Sequence, residues 1–197
     1  MSSMARPAST GTHTKLVTWE IAAVFFILLP GSALHFAFEL SNFWPPVAPF
    51  AAVNESIWEH LKMVFWPGLI FFSVQYGFLK DDPYARRFWT AKALTLYLMP
   101  FLIAAGWYAV VALTGGHTLF VDGALFVGAI IAGQLLSYAI LSGKISLNPH
   151  PRQAVLAIAL LALAFALFTF YPPKVSLFEH STLEKTGQYG ILDHYHE

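Results

Sequence analysis

Five long apolar runs dominate the sequence, near residues 16–40, 57–79, 88–113, 124–141 and 154–171. Each approaches the ~20 residues a helix needs to cross a bilayer. Strong breakers separate them: Pro45, Pro46 and Pro49, then Asp-Asp-Pro, then Gly-Gly and Asp-Gly, then Asn-Pro-His-Pro. In hydrocarbon only helices and closed barrels satisfy the backbone, and continuous runs of this length read as helices. The pattern predicts an all-α integral membrane bundle of five transmembrane helices over residues 16–171. A mobile N-terminal arm (1–15) precedes it and a polar tail (172–197) follows. Residues 21–29 before Gly31-Ser32-Ala33 resemble a signal-peptide core and cleavage site. The apolar run continues through Phe38, however, so an uncleaved first span is expected.

Composition excludes the competing classes. Hydrophobic residues make up 57% of the 197 and charged residues only 11%, against about 25% charged in soluble domains. A small soluble domain cannot bury that much apolar surface. A net charge of zero excludes a basic nucleic-acid binder. The absence of cysteine removes disulfides, thiolate metal sites and cysteine nucleophiles.

Lysine and arginine near the helix ends set the expected orientation. Arg6, Lys15, Lys80, Arg86, Arg87, Lys92, Lys144 and Arg152 fall on one side, whereas Lys62, Lys174 and Lys185 fall on the other. The N-terminus is therefore read as cytoplasmic and the tail as extracytoplasmic, in a cell membrane. Trp19 and Trp89 fit the inner interfacial belt, and Trp44 and Trp58 the outer one. Most carboxylates then lie outside, with Glu20, Asp81 and Asp82 inside. Glu20 is read as a solvated carboxylate at the inner boundary. Pro30, Pro67 and Pro100 lie within spans and mark shape. The row Ala124, Gly128, Ala132 reads as a close-packing face for another helix.

The polar residues of greatest interest gather at the outer ends of the first two spans. His35 and Glu39 are four apart on the first. The second opens with Asn54-Glu55-Ser56-Ile57-Trp58-Glu59-His60. The connection Phe43-Trp44-Pro45-Pro46-Val47-Ala48-Pro49-Phe50 is too apolar for a free loop and too proline-rich for a helix. It is expected to fold back over the helix ends as a lid. Two imidazoles and three carboxylates at one depth suit a divalent metal: zinc, iron or manganese. The candidate ligands are His35, Glu39, Glu55, Glu59 and His60, with Glu59 as candidate general base. Neither His-Glu-x-x-His nor Glu-x-x-His is present on these helices. Against the metal stands a simpler account. Asn54 can cap the second helix, Glu55 can favour its dipole, and Glu59 can pair with Lys62 three residues on.

Other polar groups carry less weight. His117 and Asp122 lie in an outer loop, and Glu179, His180, Asp193, His194 and His196 in the tail. Leu177, Phe178 and the turn-bearing Thr186-Gly187-Gln188-Tyr189-Gly190 predict a tail docked on the outer face. Gln75, Tyr97, Gln134, Ser137 and Tyr138 suit interhelical hydrogen bonds better than a transport path. A phosphate-binding glycine loop, a nucleophile elbow, a voltage-sensor arginine ladder and a potassium-filter pattern are all missing.

The run Asn54-Glu55-Ser56-Ile57-Trp58-Glu59-His60-Leu61-Lys62, with Phe65-Trp66-Pro67 after it, resembles the signature of an uncharacterised family of small bacterial multi-pass membrane proteins. The tail from Pro172-Pro173 through Leu177-Phe178 to Thr186–Gly190 is similar to that family's C-terminal pattern. The resemblance implies a prokaryotic integral membrane protein, such as one of the bacterial inner membrane, and brings no activity with it. The residues themselves favour a multi-pass membrane protein with an outer-leaflet His/Glu site supporting metal-assisted hydrolysis or redox chemistry on an apolar substrate. A transporter component, or an assembly subunit whose cluster only locks two helices together, are the alternatives. The partners expected are the lipid bilayer and a small-molecule or lipid-like substrate, without nucleic acid; a homo-oligomer stays open.

Overall fold

The computed structural model describes residues 10–181 and 187–191. Five α-helices follow in order: α1 (Thr10–Leu40), α2 (Ile57–Leu79), α3 (Ala85–Thr114), α4 (Leu119–Leu141) and α5 (Pro151–Phe170). Short 3-10 turns occur at Pro45–Val47 and Ser176–Phe178. The fold is all-helical as expected. Four helices, α1, α3, α4 and α5, are long and apolar enough to cross a membrane. The helix α2 is comparably long, but it carries Glu59, Lys62 and Gln75, all buried. It packs between α1 and α3 and also touches α5, so its polar groups face protein. The other helices turn Phe25, Leu29, Phe101, Leu135, Leu156 and Leu160 outward. That exposed apolar face matches a lipid surround.

The helix ends follow local chemistry. α1 begins at Thr10, so residues 10–15 of the N-terminal arm are helical, and Lys15 donates to Asp82 (2.8 Å) and to the Phe78 carbonyl (2.9 Å). Residues 1–9 lie outside the described chain. α1 stops in a Schellman turn. Phe43 N–H bonds to Phe38 O and Asn42 N–H to Glu39 O. Asn42 and Phe43 both have positive φ, 55° and 58°. Phe43 then packs edge-on against Phe38 with centroids 5.6 Å apart, which offsets its strained backbone. Ser56 caps α2 by accepting from Glu59 N–H. Asn54, expected as the cap, instead accepts from Ser56 N–H and donates to Gly190 O at 2.7 Å. α3 ends at Gly115, whose φ of 77° needs glycine, and Thr118 caps α4.

The connection between α1 and α2 folds back as expected. Ala48, Ala51 and Val53 are buried around Phe38, and Ala52 is buried too. Three side chains of α2 reach up to it. Lys62 donates to Ala48 O, Trp66 to Pro49 O, and Glu59 accepts from Val53 N–H. Below it, α1 and α2 meet closely. Pro67 has no N–H to offer the Met63 carbonyl four residues earlier, and a side chain at Gly31 would strike that oxygen. The glycine lets α1 pass the freed carbonyl.

One packing expectation is corrected. Ala124 and Gly128 are exposed, and a Cβ at Gly128 would meet nothing within 4 Å. α4 instead approaches α3 through Gly133, where a Cβ would fall 2.6 Å from Met99. The small-residue row runs on the opposite side from the buried Ile130, Gly133, Gln134 and Ser137.

Candidate metal centre

α1 presents an inward stripe of Ile27, Gly31 and Phe38. At about 100° per residue, His35 stands roughly 60° off that stripe and Glu39 roughly 100° off. His35 therefore still faces α2, while Glu39 is exposed. On the other strand of chain, Ser56 is the cap, so Glu55 precedes the helix and the helical spacing does not align it with Glu59. Glu55 turns toward the two histidines. Glu59 turns toward the lid.

Among the described residues, His35, Glu55 and His60 form the only His/Asp/Glu group of three whose ligating atoms lie within 4.8 Å of one another. His60 Nε2 is 3.4 Å from one Glu55 oxygen and His35 Nε2 is 3.7 Å from the other. The two imidazole rings stand 5.1 Å apart. The His60 Nδ1 lies 2.7 Å from Ser56 O. A carbonyl only accepts, so Nδ1 carries the proton. In the neutral ring Nε2 then holds a lone pair aimed at a carboxylate. Two acceptors facing each other at this distance call for a cation between them, a proton or a metal. The edge of a tetrahedron with bonds of roughly 2.1 Å is about 3.4 Å, which the His60–Glu55 separation matches. With the proton in that place, His60 donates to Glu55, and this hydrogen bond holds the Glu55 carboxyl below its usual value, against the opposing effect of burial.

All three side chains are partly open, at 27%, 44% and 31% exposure for His35, Glu55 and His60. A fourth position is therefore within reach of water or substrate. Beside it, Phe36 lies edge-on to His35 at 4.8 Å and is itself exposed.

Glu59 and Lys62 form a separate buried ion pair, 2% and 0% exposed. The Lys62 ammonium donates to Ala48 O and Thr169 Oγ1 besides the carboxylate. Its three donors are all used. The Glu59–Lys62 account weighed from the sequence is what the side chains do. Thr169 of α5 was not foreseen, although it is the one polar residue within the apolar run 154–170.

The tail buttresses the start of α2. Ser181 donates through Oγ to Glu55 O (2.6 Å), and Glu179 bridges to Tyr189. Trp58 packs against Phe165, Phe168 and Phe178. The described tail residues thus dock on this end of the bundle, whereas Thr186 of the turn-bearing segment lies outside the described residues. Asp193, His194 and His196 lie outside the described residues. His117 and Asp122 pair with each other at 2.7 Å.

At the other end of the bundle the sequence reading of Glu20 is corrected. Glu20 is 5% exposed and binds Lys92 (2.7 and 3.0 Å) and Gln75 (3.0 Å). Lys92 is fully buried, 4.2 Å above the Phe72 ring. A lysine four residues into a long apolar run was the available signal, because an ionisable group there needs a partner. Tyr97 likewise donates across helices to Ala157 O.

Fold and site together define a helical protein with the surface of a membrane protein and a His/Glu cluster at one end. The chain belongs to a family described as a family of unknown function (DUF6512), which matches residues 9–191. No curated protein and no solved structure matches it.

Proposed function

We propose that the chain is a five-span membrane protein that binds one divalent transition metal through His35, Glu55 and His60. The observation that carries this reading is the His60 geometry. Its Nδ1 proton is committed to Ser56 O, which leaves Nε2 facing the Glu55 carboxylate with His35 Nε2 beside it. Two imidazoles and a carboxylate with an open position suit zinc or ferrous iron. Bound there, the metal would polarise a substrate oxygen or lower the pKa of a water. The open position beside exposed Phe36 favours hydrolytic or redox chemistry on an apolar, lipid-like substrate. In this reading Glu59 anchors the lid and is neither ligand nor base. The N-terminus is cytoplasmic and the centre lies at the outer boundary, as the basic residues direct.

The test is elemental analysis of the protein purified after growth with added zinc or iron. About one metal per chain is expected, falling toward zero in Glu55→Gln while the variant stays folded. A stoichiometry near zero in the unaltered chain overturns the reading, as does metal that Glu55→Gln retains in full. The Glu59–Lys62 pair, with every donor engaged on the lid and α5, favours an assembly role for that second cluster.

A further inference from the structure

α4 and α5 each pack along α3, and two hydrogen bonds mark the seams. Thr95 Oγ1 donates to Gly133 O of α4, and Tyr97 donates to Ala157 O of α5. Leu94 stands about 100° round the helix from Thr95 and about 60° from Tyr97, and therefore lies between the seams. Arg87, Leu94 and Phe101 recur every seventh residue, which keeps them on that one face. Leu94 and Phe101 are exposed, so they floor a groove whose walls are α4 and α5. Arg87 stands at its mouth, in the first turn of α3. Its Nη1 would lie 3.1 Å from a Cβ on Gly143, whose φ is 82° just past the end of α4. On the other wall, the His150 N–H at the start of α5 bonds to Thr90 Oγ1 at 3.0 Å. Arg87 is half-buried. Its side chain makes no hydrogen bond or ion pair with the described residues, yet none of its nitrogens is sealed from outside. Five donors in a fixed planar fork fit an oxyanion that takes two of them at once.

We propose that this groove binds an anionic phospholipid, its phosphate diester held by the Arg87 fork and one acyl chain lying over Leu94 toward Phe101. Charge selects the headgroup. Three carboxylates stand at this end of the bundle, of which Glu20 is held by Lys92 and Asp82 by Lys15. Exposed Asp81 is left against Lys80, Arg86, Arg87, Lys144 and Arg152. An ammonium-bearing headgroup would be repelled by that excess, whereas one whose only charge is its phosphate is attracted. The apolar floor selects a lipid over free phosphate. Leu94 and Phe101 lie about 10 and 21 Å from Arg87 by helical rise, at depths that acyl chains reach and a hydrated anion does not. A basic excess alone follows from membrane topology. It does not call for an unpaired arginine pressed against a glycine at the head of a groove. The site is independent of the metal centre and of which side of the membrane this end faces.

The test is native mass spectrometry of the full chain, delipidated in detergent and titrated with phosphatidylglycerol or phosphatidylcholine of identical dioleoyl chains. The first phosphatidylglycerol is expected to bind about tenfold more tightly than phosphatidylcholine, the worth of one charge-assisted hydrogen bond. Arg87→Gln should lose most of that preference. Arg87→Lys keeps the charge without the fork and should retain only part of it. Lys80→Gln removes the same charge at the end of α2 and should leave the preference intact. Millimolar inorganic phosphate should not displace the lipid. Equal affinity for the two lipids on the unaltered chain overturns the proposal. So does an equal loss in Lys80→Gln and Arg87→Gln, which would mean diffuse attraction without a site, or displacement by inorganic phosphate. The two-lipid comparison needs no variant, so it stays decisive even where Arg87→Gln misfolds.

Discussion

His60 gives its Nδ1 proton to a carbonyl of its own helix start, whereas His35 has a buried Nδ1 without a hydrogen-bond partner. The two proposed ligands therefore differ in how firmly they are aimed. A second partner on the far ring nitrogen fixes tautomer and orientation, and losing such support typically costs about 10–100-fold in affinity. His60 arrives already oriented; His35 has ring contacts with Phe36 and His60 but no hydrogen bond on Nδ1. His60→Ala is thus expected to weaken metal binding by a larger factor than His35→Ala. Competition with a chelator of known affinity, read as metal retained, measures both. Equal losses, or a larger loss for His35→Ala, would remove the role given to the Ser56 carbonyl. At this scale the sequence motif resolves into separate tasks. Asn54 ties down the tail and Ser56 caps α2. Glu55 and His60 face His35, Trp58 packs on α5 and the tail, and Glu59 and Lys62 hold the lid.

Between elements, the Glu59–Lys62 pair joins α2 to the lid and to α5. Removing one partner from a buried pair leaves an uncompensated charge and costs about 3–5 kcal/mol, whereas replacing both with neutral residues is often nearly neutral. Glu59→Gln is therefore expected to lower thermal stability in detergent markedly and to expose residues 43–53 to limited proteolysis. Glu59→Gln with Lys62→Met should recover much of that loss and keep about one metal per chain, since neither side chain is a ligand in this reading. Loss of metal from the folded double variant would place Glu59 back in the centre. The helical runs, their breakers and the fold-back of the proline-rich connection were legible from run length and composition, because those signals are local. Which carboxylates converge was not. It depends on α2 starting at Ile57 and on Glu39 rotating off the contact face of α1, and a shift of two residues or about 40° decides both.

At the scale of the whole molecule, polar groups sit in layers. The cluster of His35, Glu55 and His60, with Glu59–Lys62 next to it, occupies one end of the bundle. Glu20, Lys92 and Gln75 form a second layer toward the other end. The Glu20–Lys92 pair escaped the sequence reading because burial at a helix end depends on neighbours, here Phe72 and Phe88. It also bears on orientation. A lysine neutralised inside the bundle contributes little to the basic excess that retains a loop in the cytoplasm. The remaining cations on that side, Arg6, Lys15, Lys80, Arg86, Arg87, Lys144 and Arg152, still outnumber the opposite side. The proposed topology therefore survives the correction. The chain contains no cysteine, so a single introduced thiol reports its own side without background. Glu39 and Lys144 are both exposed, at the α1 end and in the α4–α5 connection. With five spans and a cytoplasmic N-terminus, Glu39→Cys in intact cells should react with a membrane-impermeant maleimide. Lys144→Cys should react only after permeabilisation. The reverse pattern would invert the protein and place the His/Glu cluster on the cytoplasmic side. Labelling of both thiols in intact cells would mean that an even number of crossings separates them, which α2, α3 and α4 as three spans do not allow.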